Sequence, residues 1–412
     1  MSTGLDFSLP KGWSWSPLKF ATTFLNRGSA PDYADEGPVR AVSQAANQLA
    51  GLDWTRTRFS AYDGDPRRLK GYLLHSDILI NSTGNGTLGR VGYFTKGPDD
   101  IPCVADSHVT VARADRRVAD PRFMYYWLRS VPFYNYIYSV LVVGATNQIE
   151  LNREGLAGAP IALPPFDEQQ RIADFLEAEV ARIDHLDELS TTTLNLLRER
   201  RQALVEQIIM SSSTAAQKLF RCLQLLRDGT HQPPSRTGTG VPLLTARNVS
   251  SGALKLTQAD TFVSPEDAEI LEGTLKPRHR DVLVSVKGTI GAVAIVPPGF
   301  PRAVLDRNLA LIRPAKTVLN EWLVWVLRTR NVQEQMQLSI AAAAQPGLPL
   351  GVIRELKIPA TDLQMQTRQV AKIEQIDQQI TDLESKIKSQ RNLLAERRQA
   401  LITAAVTGGI AV

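Results

Sequence analysis

The sequence predicts an α+β fold: two globular units of mixed strands and helices, separated by two long helices that pair as an antiparallel coiled coil. Three observations predict it. The octapeptide LRERRQAL at residues 197–204 returns as LAERRQAL at 394–401, and the features around it return in the same order at offsets between about 195 and 204. Each copy passes from β-branched alternation, punctuated by Gly, Pro and Asp, into a long stretch with neither Gly nor Pro. That stretch carries a seven-residue apolar repeat in both copies. A chain of 412 residues exceeds one ordinary core, and a duplicated unit of roughly 200 residues accounts for its length.

Residues 1–166 read as the first globular domain. GYLLHSDILINSTGNGTLGRVGYF, from Gly71, alternates like short strands joined by Gly-rich turns. VADSHVTVAR from Val104 continues the pattern, and the aromatic FMYYWLRS from Phe123 reads as a helix packed on a sheet. Residues 167–212 read as the central helix, since Asp167 to Met210 contains no breaker. Residues 213–361 repeat the first domain: Asp281-Val-Leu-Val-Ser-Val answers Asp77-Ile-Leu-Ile-Asn-Ser, VLDRNLALIR from Val304 answers VADSHVTVAR, and WLVWVLRT from Trp322 answers FMYYWLRS. Residues 362–412 form the distal helix and tail. Each helix of about 43 residues would span on the order of 65 Å.

The heptad frame places Leu176, Ile183, Ser190, Leu197 and Leu204 on one seam row of the central helix, with Ile172 and Leu186 on the other. In the distal helix Ile373, Ile380, Ile387, Leu394 and Leu401 match them, with Ile376 and Leu383 on the second row. Such a repeat over four intervals argues for a coiled coil rather than a one-sided surface helix. Two similar heads on an antiparallel strut would be related by a pseudo-two-fold axis and suit a bipartite target, as in dimeric DNA-binding proteins.

Charge and cysteine usage narrow the function. Lys and Arg stand against Asp and Glu at 17 to 15 in residues 1–166, 5 to 10 in 167–217, 18 to 11 in 218–357 and 7 to 6 in 358–412. A basic globular unit beside an acidic helix fits a nucleic-acid reader joined to a protein-binding strut. Cys103 and Cys222 are far apart, and the five histidines are scattered, which leaves no disulfide framework or metal cluster to expect. No signal segment opens the sequence and no apolar run approaches the roughly 20 residues of a membrane helix. The expectation is a cytoplasmic protein with no membrane partner.

LPKGWSWSPL at the start, RDGTHQPPSR before GVPLLTARNVSSG, and Pro164, Pro165, Glu168, Gln169 and Ile172 opening the first helix complete the picture. In this order of parts the chain resembles the specificity subunit of type I restriction-modification systems, over essentially its whole length. The resemblance implies two target recognition domains, each binding one half-site of a split, asymmetric double-stranded DNA sequence. It implies helices that dock methyltransferase subunits, two of them, and restriction or translocase subunits. It also implies no catalytic residue, metal or cofactor on this chain: S-adenosylmethionine, and ATP with Mg for restriction, would belong to the other subunits. The second helix start departs from the pattern, with Ala360 for the second proline and Met365 for the glutamate.

Three motifs suggest other chemistry. GNGTLG, Gly84 to Gly89, satisfies G-x-G-x-x-G, but a dinucleotide site needs a helix to open there, and RVGYF continues as a strand. LPPF has Leu163 where an amino-methyltransferase motif needs Asn, and DLESK lies within the coil. The two ERRQAL segments fit ion pairing within the coil or with a partner, or a basic stripe along DNA. Arg129, Arg328 and Arg330 at the aromatic helix ends are phosphate candidates.

Base readout needs planar or hydroxyl donors and acceptors. Beside the repeated strands these are Asn81, Thr83, Asn85, Arg90, Ser107, His108, Asn147 and Gln148 in the first domain. In the second they are Thr230, His231, Arg247, Asn248, Lys287, Thr289, Arg307, Asn308 and Gln345. A coiled-coil scaffold with two ligand-binding heads and no DNA role is the competing reading. If the coil is a ruler, inserting seven residues near Leu194 lengthens it by about 10 Å, or about three base pairs at ~3.4 Å each. Sequencing the modified bases should then show unchanged half-sites with a wider gap; a changed half-site at the old gap refutes the ruler.

Overall fold

The computed structural model describes residues 5, 7–49, 51–143, 149–211, 215–230, 234–341 and 347–412. They fall into two compact units, residues 1–190 with 389–412, and residues 191–388. Each unit therefore takes one half of each long helix together with its globular head. None of the described helices is long and apolar enough to cross a membrane.

The head of the first unit is built on β1 (Thr22–Arg27), β2 (Asp77–Asn81), β3 (Val91–Phe94) and β4 (Val109–Ala114), antiparallel in the order β1-β4-β2-β3. The second head repeats it with β5 (Leu223–Asp228), β6 (Val282–Ser285), β7 (Val293–Ile295) and β8 (Leu309–Pro314) in the order β5-β8-β6-β7. The inner strands are apolar at successive positions because both faces are covered. Ile78, Ile80 and Ala112 join the core under the helices, while Leu79, Val109 and Val111 join the core on the other side. Val282, Val284, Ala310 and Ile312 divide from Leu283, Leu309 and Leu311 in the same way. The second core is closed by a smaller sheet, whose parallel pair is Val39–Val42 with Cys103–Ala105 in one head and Val241–Leu244 with Val304–Leu305 in the other.

A buried ion pair ties the central strands together in both heads. Asp77, whose side chain is wholly buried, accepts from Arg113 Nε and Nη2 at 2.7 Å each and from the Leu74 backbone at 2.7 Å. Asp281 accepts from Arg313 at 2.8 and 2.5 Å and from the Arg278 backbone at 2.8 Å. A bidentate guanidinium is the geometry that offsets carboxylate desolvation.

The aromatic segments are core helices. α1 (Pro121–Leu128) starts at Asp120, whose side chain accepts from the Arg122 and Phe123 backbones, and it buries Phe123 and Trp127 completely. Trp127 donates to the Pro160 carbonyl at 3.1 Å. The long helices are α2 (Phe166–Met210) and α4 (Leu363–Val406), and between them lies α3 (Asn320–Arg328), the counterpart of α1. Trp322 of α3 is fully buried and donates to Gln369 Oε1 at 2.6 Å.

Each long helix starts with the same clamp. Gln169 Nε2 donates to the Val118 and Pro164 carbonyls at 3.1 and 3.0 Å, and its Oε1 accepts from Asp120 N at 2.9 Å. Gln366 donates to the Thr317 and Thr361 carbonyls at 3.2 and 2.8 Å and accepts from Leu319 N at 2.8 Å. The divergence at the second helix start spares this glutamine. It does remove a contact: Glu168 accepts from Trp13 Nε1 at 3.2 Å, and Met365 has no such oxygen.

Within each unit the two helix halves run antiparallel. In the first, Arg391 makes a bidentate pair with Asp187 at 2.6 and 2.9 Å, and Arg398 pairs with Asp184. In the second, Arg201 reaches Asp377 at 3.2 Å, Glu384 at 3.4 Å and the Thr381 hydroxyl at 3.3 Å. Leu176, Ile183, Ile373 and Ile380 are buried, as is Ser190, and Leu197, Leu204, Ile387, Leu394 and Leu401 are half-buried.

The second seam row differs from the one expected. Leu186 and Leu383 are 43% and 47% exposed. The row that faces inward lies one residue on and contains Val180, Asp187, Leu194 and Arg201, matched by Asp377, Glu384, Arg391 and Arg398. Its charges conceal it from an apolar pattern. The repeated ERRQ now has a structural role: its second arginine, Arg201 or Arg398, enters the seam. The following Gln202 and Gln399 donate to carbonyls at the C-terminal ends of the aromatic helices, Arg328 O at 3.0 Å and Arg129 O at 2.9 Å.

Replacing one member of a buried pair leaves the other charge uncompensated, a loss of about 3–5 kcal/mol. Arg113→Ala should therefore lower the unfolding midpoint of the first head strongly in calorimetry, and Arg313→Ala that of the second. Exposed Arg117→Ala should leave both transitions where they are, since a solvated surface pair contributes little.

Candidate nucleic-acid interface

In each head three segments meet at one end of the central strands. The first follows the parallel strand, beginning at Ser43 or Thr245. The second is the Gly-rich loop, residues 82–90 or 286–292. The third is the turn Asp106–His108 or Asp306–Asn308.

Backbone bonds lock them together identically. Ser82 N donates to His108 O at 2.8 Å and Asp106 N to Val42 O at 3.0 Å. Val286 N donates to Asn308 O at 2.8 Å and Asp306 N to Leu244 O at 2.9 Å. The turn is an Asx turn in both, with His108 N and Asn308 N donating to Asp106 and Asp306 at 2.8 Å. A fourth segment joins the cluster, where Leu151 N and Leu348 N donate to Ser82 O and Val286 O at 2.9 and 2.8 Å.

Glycine is required where the first core strand passes beneath the turn. A Cβ on Gly28 would lie 1.8 Å from the Ala105 carbonyl oxygen, and one on Gly229 would lie 2.3 Å from that of Leu305. The Gly-rich loop uses left-handed backbone at Gly84, Gly86 and Gly89, and again at Gly288 and Gly291. Strand β3 follows it, so no helix N-terminus stands ready for a pyrophosphate.

The structure brings some of the expected residues to this face and withdraws others. Thr83 and His108 touch, the hydroxyl lying 2.8 Å from Nδ1. Asn85 and His108 are exposed and Ser107 is half-buried. Arg90 is committed to bracing the loop, with Nη1 on Gln48 Oε1 at 2.8 Å and Nη2 on Gly86 O at 2.9 Å. In the second head Arg247, Lys287, Thr289 and Arg307 are exposed, and Asn308 and Thr230 are half-buried, Thr230 bridging to Asp306. Asn147, Gln148, His231 and Gln345 lie outside the described residues.

Two asparagines are corrections. Asn81 is wholly buried, donating to Gln44 O at 3.1 Å and accepting from Asn47 Nδ2 at 3.0 Å. Asn248 is also buried and closes a capping box, accepting from Thr245 N at 2.8 Å while donating to Lys255 O and Asp260. Burial withdraws Asn81 from the surface, and Asn248 also spends both donors and both acceptor positions internally. Arg328 likewise turns inward: its guanidinium donates to Gly252 O and Val293 O and lies over Trp325, and burial holds its pKa below the usual range.

One polar residue of this face escaped the sequence reading. Gln44 is half-buried at the loop junction, and its Oε1 accepts from the Thr83 and Thr87 hydroxyls at 3.2 and 3.4 Å. Its position is Ala246 in the second head, two residues beyond Leu244 as Gln44 is beyond Val42. Beneath the turn, Asp106 is buried and takes a 3.1 Å bond from Tyr33. Burial raises the Asp106 carboxyl above its ordinary range, and burial beside that carboxylate pushes the Tyr33 hydroxyl up to about 12.

Two heads that present variable polar loops on one repeated framework define a duplicated recognition scaffold. Comparison with known proteins names the class. The profile of the type I restriction modification DNA specificity domain matches residues 32–195 and 251–391, and the chain belongs to that family. A Methanocaldococcus jannaschii protein described as the type I restriction enzyme MjaX specificity subunit is 21% identical over 369 residues, covering 82% of this chain and 80% of its own. The type I restriction enzyme EcoKI specificity subunit of Escherichia coli is 22% identical over 272 residues, 61% of this chain and 56% of its own. Among solved structures, a chain from work on the complex assembly and conformational transition of the type I R-M system matches with TM-score 0.75 and 20% identity, covering 98% of this chain and all of its own. The HsdS subunit from Thermoanaerobacter tengcongensis matches with TM-score 0.55 and 19% identity, both chains covered in full. At these identities the structural matches speak for the fold.

The close approach at Gly28 makes a local prediction. Gly28→Ala should destabilise the first head by about 1–3 kcal/mol through forced displacement of the turn, and speed hydrogen exchange at the His108 and Val109 amides. Gly158→Ala, with open space at its Cβ, should be neutral or stabilising by up to about 1 kcal/mol when both variants are compared with the parent by urea titration.

Proposed function

We propose that this DNA-specificity chain reads a bipartite, asymmetric sequence in double-stranded DNA, one half-site per head, and acts without catalysing a reaction itself. The observation that carries this reading is the pairing of one loop framework with different hydrogen-bonding side chains: Gln44 and His108 in one head stand where Ala246 and Asn308 stand in the other. Duplicated loops with the same side chains would favour two equal half-sites; these favour two different ones. Loop hydroxyls, amides and the His108 ring supply donors and acceptors for base edges, and exposed cations supply phosphate contacts.

The long helices are the proposed docking sites for two methyltransferase subunits and for restriction subunits. A related fold was solved in work on complex assembly in a type I system, which supports this assignment. In that assembly S-adenosylmethionine would be bound by the methyltransferase, and ATP with Mg by the restriction subunit. The proposed place of action is the cytoplasm.

The test is methylome sequencing of cells that express this chain with its methyltransferase partner. The expected outcome is methylation at one split motif that disappears when either chain is omitted. Replacing residues 218–357 with those of another family member should change one half of the motif and leave the other intact. Methylation that ignores the exchange would refute the assignment of one half-site to each head.

A further inference from the structure

The two reading faces share a backbone but not a charge. Ala45, Thr83 and Ser107 of the first head correspond to Arg247, Lys287 and Arg307 of the second, by their distance from the paired strand ends and by the shared backbone bonds. All three cations are exposed, and among the described residues none is ion-paired. Arg247 has one backbone bond, to Ala259 O at 3.0 Å. Of the neighbouring carboxylates, Asp306 is engaged by Asn308 N at 2.8 Å and Asp228 has a partner already.

The first face has no free cation of this kind among the described residues. Arg90 is tied to Gln48 and Gly86, and Arg27 is paired with Glu150 at 3.1 Å. What it has is an interlocked neutral set, Gln44 with Thr83 and Thr83 with His108. The wider sequence points the same way, with 18 basic against 11 acidic residues in 218–357 but 17 against 15 in 1–166.

We infer that the two heads divide the work unequally: the second anchors DNA through phosphate contacts from Arg247, Lys287 and Arg307, and the first reads its half-site through a neutral, hydrogen-bonded face. This deepens the proposed function and rests on it. Exposed cations without an ion-pair partner suit phosphates, which tolerate variable geometry, whereas a base edge requires side chains held in place by their neighbours.

Salt dependence separates the two roles, because each phosphate contact contributes about 0.9 to the slope of log K against log salt. The experiment uses the chain assembled with its methyltransferase and a duplex containing the motif. The combined variant Arg247→Gln, Lys287→Gln, Arg307→Gln should make the slope shallower by about 2–3, so that the affinity lost between ~50 and ~200 mM salt shrinks about 40-fold. Its methylated motif should be unchanged. The first-head variant Arg27→Gln, Arg90→Gln should alter the slope by less than about 1.

An unchanged slope in the triple variant overturns the inference, as does an equal drop in the first-head variant. Relaxed specificity in the second half-site at constant slope would make the three cations base readers and overturn it too. If the unaltered complex shows no salt-dependent binding at all, the fault lies in the DNA-reading function beneath it. Thermal melting of both variants against the parent complex verifies that the heads remain folded.

Discussion

A single glutamine amide at the start of each long helix governs how the chain is put together. Gln169 and Gln366 are each 1% exposed, and each holds three backbone groups at once. Two of those groups end the loop before the aromatic helix or the turn before the long helix, and the third is an N–H at the start of the aromatic helix. The amide therefore joins two chain segments, the entry to the aromatic helix and the entry to the long helix, which lie 47 to 51 residues apart in sequence. A buried amide has few other ways to satisfy both its donor and acceptor capacity, so the helix direction relative to its head is set.

The heads depend on that direction because their cores are incomplete without the long helices. Ile172, Ala173, Leu176 and Val180 lie in the first core together with Ile402, Ala405 and Val406. Val205, Ile208, Ile209 and Ile373 do the same in the second. Helix and head are thus one cooperative body in each unit, and the ERRQ glutamines reinforce the join from the other helix by meeting a carbonyl at the end of each aromatic helix. Conservation of this scaffold across the two copies leaves the loop ends free to vary, since none of the clamping bonds uses the side chains that face outward there.

Much of the fold could be read in advance from particular residues. The duplication, the breaker-free helices and the alternating strands are all local patterns, and Asp77, Arg113, Asp281 and Arg313 stood at matching places in both copies before their ion pairs were visible. The candidate site was only partly readable. Thr83, His108, Lys287 and Arg307 do reach the loop face, but Asn81 and Asn248 belong to the same residue classes and are consumed internally. Residue type reports what a side chain can bond, and only its neighbours show whether that capacity is already spent.

The sequence by itself determined the periodicities: which segments are helix or strand, that the unit occurs twice, and which first seam row is apolar. These follow from nearest-neighbour geometry and the burial of apolar surface, both of which leave a trace every two or seven residues. Only the tertiary structure decided the second seam row, where Asp187, Arg201, Arg391 and Arg398 replace apolar residues because each finds a partner across the helix pair. It alone placed Gln44 among Thr83 and Thr87, and gave the ERRQ segments their bonds to the aromatic helices. Those choices depend on groups tens to hundreds of residues apart, whose hydrogen bonds carry no period along the chain.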